Sequence, residues 1–155
     1  MDPISPISPT THNYYSKLTA HDHSLPPKLA EQLKDVFSHL EQMHKETGYA
    51  HPNPLNLTRD FEHFDHSLTA FLTEVNHNPN RGYEKQIKDQ FESLHNTFLE
   101  DLSEIKQGGE ALRDVLYDPQ KLQSFLETAS RESLTALGNH AHTFATHLNM
   151  TFKLN

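Results

Sequence analysis

The chain has no cysteine and no tryptophan among its 155 residues. Without cysteine there are no disulfides, thiol nucleophiles or thiolate metal sites. Glycine is scarce, at 5 residues, and none belongs to a phosphate-cradling loop: Gly108-Gly109 has no following Lys-Ser/Thr pair. There is no Gly-x-Ser-x-Gly elbow, so nothing in the sequence orders its serines and histidines into a hydrolytic triad. Basic residues are outnumbered, 13 Lys and Arg against 21 Asp and Glu, giving a formal net charge of −8. An acidic surface without a basic cluster repels phosphate backbones and anionic lipid, so no nucleic acid is expected as a partner. No stretch reaches the ~18 uninterrupted apolar residues of a membrane span, so no membrane insertion is expected. The first residues carry neither the basic nor the apolar region of a classical signal peptide. The expected location is the cytoplasm, or export without such a peptide.

What the chain has in excess is histidine, 13 residues. Imidazole is the one side chain whose ordinary pKa lies between pH 5 and 8, and protonating all of them would reverse the sign of the net charge.

Residues 1–10 place proline at every third position, which removes amide donors and favours extended chain. They read as a disordered Pro/Ser leader with two overlapping Pro-x-x-Pro spacings, ahead of a single helical domain over 11–155. A short helix with Tyr14, Tyr15 and Leu18 is expected over 11–21. The first strong helix is predicted over 27–47, with Pro26-Pro27 at its first turn and Gly48 as its stop. Its apolar stripe is Leu29, Leu33, Val36, Phe37, Leu40 and Met43. A second is predicted over 58–76, with Thr58 as N-cap, and a third over 82–107, ended by Gly108-Gly109. Residues 110–117 read as one or two helical turns that reverse the chain. Asp118-Pro119 is a capped start, and a last helix is expected to run unbroken from there to about Met150. Four amphipathic helices joined by short connections pack most simply as an antiparallel up-and-down bundle with one or two short extra helices.

Three acid-x-x-His spacings raise the question of a metal: Glu41/His44, Asp60/His63 and Glu92/His95. Carboxylate-bridged di-metal bundles need such pairs to point inward together. At about 100° per residue all three point outward or sideways from their stripes, so neither a metal ligand nor a cofactor is expected. His63 and His66 share one helical face and His21-Asp22-His23 precedes the first helix; both read as surface histidines.

The last helix differs from the others. Between Ser133 and Phe152 it holds no Asp, Glu, Lys or Arg. Gly138, Ala141 and Ala145, with Leu148 beside them, form a flank on which another helix can approach closely. Charge depletion is a mark of interface cores, so these four residues are the expected partner-binding surface, for another protein or for self-association through the last helix. Periodicity also places His140 on the core stripe and His147 on its other edge. A buried imidazole resists protonation, which makes this pair the expected pH sensor. The resulting expectation is a non-enzymatic protein–protein interaction module, an adaptor, small chaperone or effector-like domain. The alternative is a metal-binding helical bundle that uses histidine and carboxylate ligands.

Overall fold

The structure is a computed structural model and describes residues 25–77 and 81–154. The expected Pro/Ser leader and the helix over 11–21 lie outside the described residues.

Helix α1 spans Pro27–Thr47, with Pro at the first turn as the sequence requires. Leu29, Leu33, Val36, Leu40, Met43 and Thr47 are buried at alternating steps of four and three, so one stripe faces the core. Gly48 ends it in the right-handed region, with φ −83°, and its amide reaches Lys45 O at 3.1 Å. The stop therefore owes nothing to a left-handed glycine.

Helix α2 spans Pro54–His77 and begins a turn earlier than expected. The cap is Asn53, whose Oδ1 accepts from the amides of Leu55 at 2.8 Å and Asn56 at 3.3 Å, with Pro54 opening the helix. Thr58 is no cap. It is buried inside the helix, and its hydroxyl donates to Pro54 O at 2.8 Å.

Helix α3 spans Arg81–Ser103 and stops short of the expected Gln107. The remaining residues form a two-stranded antiparallel hairpin, β1 (Lys106–Gln107) and β2 (Glu110–Ala111). Gly108 and Gly109 turn it with φ of 56° and 83°, the two positive values that a type I′ turn demands. A 3-10 turn, Leu112–Val115, then buries Leu112 and Val115.

The expected unbroken last helix is two helices. Asp118 caps α4, Pro119–Thr128, through the amide of Lys121. Ala129 and Ser130 are extended, and Ser130 then caps α5, Arg131–Phe152, by accepting from Ser133 N. The break lets α4 lie on α2 while α5 inserts between α1 and α3. One undivided helix could not do both.

The four long helices run up, down, up and down, with α1 between α2 and α5, and α3 closing the square against α5 and α2. Phe64, Phe91, Phe98 and Phe144 cross the centre in tilted and edge-on contacts, with ring centroids 5.1–6.3 Å apart. At the end of α1, Arg131 donates to the carbonyls of Thr47 at 2.9 Å, Tyr49 at 2.7 Å and Ala50 at 3.0 Å. A cation there satisfies carbonyls that the helix leaves unpaired and opposes its dipole. This clamp fixes the height of α5 against α1.

Candidate metal centre

The small residues of α5 are where that clamp holds the two helices together. Gly138, Ala141, Ala145 and Leu148 are all buried, the last three fully. A Cβ built on Gly138 would stand 1.9 Å from the Thr47 hydroxyl and 3.0 Å from its Cβ. The flank expected to meet a partner is therefore the α1–α5 seam. Small side chains let another helix approach, as the sequence implied, but that helix is α1 of the same chain. Its four residues are not available to a partner.

At the edge of this seam three donors converge. Glu41 and His44 stand one turn apart on α1, and His142 faces them from α5. The His142 Nδ1 lies 2.9 Å from Glu41 Oε1, and the rings of His142 and His44 stack with centroids 4.4 Å apart. One ligand atom from each residue lies within 4.8 Å of the other two, the one such group of three among the described residues. Glu41 and His44 are half-buried and His142 is exposed, so the group opens to solvent. A tetrahedral cation with Zn–N near 2.0–2.1 Å would hold its ligands roughly 3.3 Å apart, closer than the outer limit of 4.8 Å on this group.

Reading α1 alone rejected the Glu41/His44 pair because it points sideways. Sideways is toward α5. The third donor lies some hundred residues further on, and its direction depends on where the α4–α5 break falls, which periodicity did not reveal. The other two acid-x-x-His spacings form no such group. His63 pairs across helices with His39 of α1, ring centroids 5.4 Å apart, rather than along its own helix with exposed His66. Burial and the neighbouring His63 hold His39 below the ordinary histidine value, against the pull of Asp35. Beside them burial and Glu46 push the Asp60 carboxyl up to about 6.

The expected pH sensors are also placed otherwise. His140 is half-buried, its Nδ1 3.4 Å from Asp101 Oδ2, and His147 is exposed. The α5 stripe centres on Leu137, Phe144 and Leu148, which turns both histidines out of the core. The imidazole that packs into the aromatic centre is half-buried His95 of α3. Its ring lies among Phe64, Phe91 and Phe144 at 5.9–6.2 Å, and its Nε2 is buried without a hydrogen-bond partner. Burial, with the nearby positive Arg113, holds it below the usual histidine value.

An open groove of about 390 Å³ between the hairpin and α4, lined by Gln107, Gln120, Lys121, Ser124 and Phe125 among others, gathers no metal-ligand set. No helix among the described residues is long and apolar enough to cross a membrane. Compared with known protein families, curated proteins and solved structures, the chain matches none.

Proposed function

We propose that the protein is a metal-binding helical bundle that holds a divalent transition cation between α1 and α5 through Glu41, His44 and His142. The observation that carries this reading is the meeting of two imidazoles and a carboxylate from two helices within 4.8 Å. Two nitrogens and one oxygen suit borderline cations such as zinc, whereas calcium and magnesium prefer all-oxygen sets. The position on a seam fixed by Arg131 and Gly138 supports it further, because preorganised helices lower the ordering cost of binding. The interaction-module reading drew on the flank of Gly138, Ala141, Ala145 and Leu148, whose burial within the fold favours the metal-binding reading over it.

The test is calorimetric titration of the untagged full chain with zinc, beside Glu41→Gln, His44→Ala and His142→Ala. One equivalent per chain is expected, weakened at least tenfold in each variant. Equal affinity in all four proteins would refute the assignment.

A further inference from the structure

Three protein donors leave one position of a tetrahedral cation unfilled, and the surroundings of Glu41, His44 and His142 determine what enters it. A closed structural site completes its sphere with a fourth side chain. Among the described residues no further histidine or carboxylate joins this group, and exposed His142 leaves its outer side open to solvent. The fourth position therefore goes to water or to a ligand from outside.

Charge favours an anion there. With a net charge of −8 the chain repels anions over most of its surface. The neighbourhood of the three donors is different. Residues three or four positions from a donor share its helix face, and these include Ser38 and Lys45 on α1 and Asn139 and Thr146 on α5. None of the residues so placed is acidic apart from Glu41 itself, and α5 carries no Asp or Glu between Ser133 and Phe152. A divalent cation set against the single carboxylate of Glu41 leaves a positive centre, and the exposed ammonium of Lys45 adds to it.

The register of the two helices then favours one shape of anion. They run antiparallel, with Glu41 against His142 and Thr47 against Gly138. Lys45 is therefore level with Asn139, about one turn along the seam from the Glu41–His142 contact, and both are exposed. A carboxylate has two oxygens. One can ligate the metal while the other accepts from the Asn139 amide and the Lys45 ammonium, a charge-assisted pair of hydrogen bonds. A halide has no second acceptor, and a neutral amide has no charge. Resting on the metal-binding reading above, we infer that the zinc-loaded site is a receptor for a carboxylate, held by the metal, Asn139 and Lys45.

The experiment is titration of the full chain, loaded with one equivalent of cobalt in place of zinc, with acetate or with acetamide. Visible absorption follows it, because the cobalt bands report the coordination of the metal. Acetate is expected to change the bands saturably and acetamide to leave them unchanged. Lys45→Met and Asn139→Ala, each loaded with cobalt, are expected to need at least fivefold more acetate for the same change. Acetyl-triglycine, whose one carboxylate is its C-terminus, separates the two sources of such a group. It binds tighter than acetate if the site reads a chain end, and no tighter if it reads a free acid. Bound cobalt whose bands acetate does not move overturns this inference and leaves the metal-binding reading standing. Equal acetate affinity in the wild type and both variants overturns the receptor formed by Asn139 and Lys45. No cobalt bound overturns both readings.

Discussion

Along its edge toward α2, helix α1 sets like beside like. His39 faces His63 with ring centroids 5.4 Å apart, and Asp60 shares that seam with Glu46. Both pairs leave a trace, His39 held low and Asp60 pushed up to about 6. Along its edge toward α5 the same helix sets unlike groups together, Glu41 with His142 at 2.9 Å and His44 stacked beside them. Histidine content alone therefore says little about metal binding. Asp35 and Asp60 lie in electrostatic range of the His39/His63 pair, but among the described residues only Glu41, His44 and His142 bring three donor atoms within 4.8 Å of one another.

The frame that holds both edges is the aromatic centre, and removing it has the largest effect. Phe144→Ala should cost ~3–5 kcal/mol, measured by urea unfolding, because Phe64, Phe91 and Phe98 all lose a contact. Next comes the α1–α5 edge itself. Gly138→Leu should cost about 1–3 kcal/mol by overpacking, since even its Cβ meets Thr47, and it should weaken zinc binding by moving His142 from Glu41. A Gly138→Leu protein with wild-type stability would mean that the seam is looser than described.

The α1–α2 edge should respond in the opposite sense. The folded-state pKa of Asp60 is raised from 3.8 to about 6, so the native state binds the extra proton. Stability from this group is full below pH ~4 and is lost as pH rises through ~6. Asp60→Asn should therefore stabilise the protein at pH 7.5 by roughly 1 kcal/mol, a figure reduced for solvent screening of a half-exposed group. The gain should vanish near pH 4 in matched melts. An equal gain at both pH values would show that charge is not its cause.

His95 gives a smaller effect of reversed sign. Its folded pKa lies below the unfolded value, so the native state binds fewer protons, and its contribution is full above ~6.5 and declines as pH falls. His95→Leu should flatten the stability–pH curve between 7.5 and 5. An unchanged slope would place the acid response elsewhere.

Much of the frame was legible because the apolar period is regular, which gives the stripes of α1, α2 and α3, and because Pro26-Pro27, Gly48 and Asp118-Pro119 mark helix ends plainly. Local capping chemistry decided the rest. Asn53-Pro54 outcompeted Thr58, and Ser130 broke a helix whose apolar pattern continues across it. The small-residue flank of α5 was recognisable as a packing face, but a single helix does not record which neighbour fills it. His95 sat off its stripe on an ideal wheel, yet the bundle closes around it. The meeting of Glu41, His44 and His142 was invisible for the same reason, since two of the three form a weak local pattern and the third belongs to another helix.

The most direct test follows the imidazoles themselves. In a two-dimensional NMR spectrum of histidine-labelled full chain, the first equivalent of zinc should shift His44 and His142 and leave His39 and His63 in place. If His39 and His63 move first, or all exposed histidines move together without saturating at one equivalent, the metal centre between α1 and α5 is contradicted.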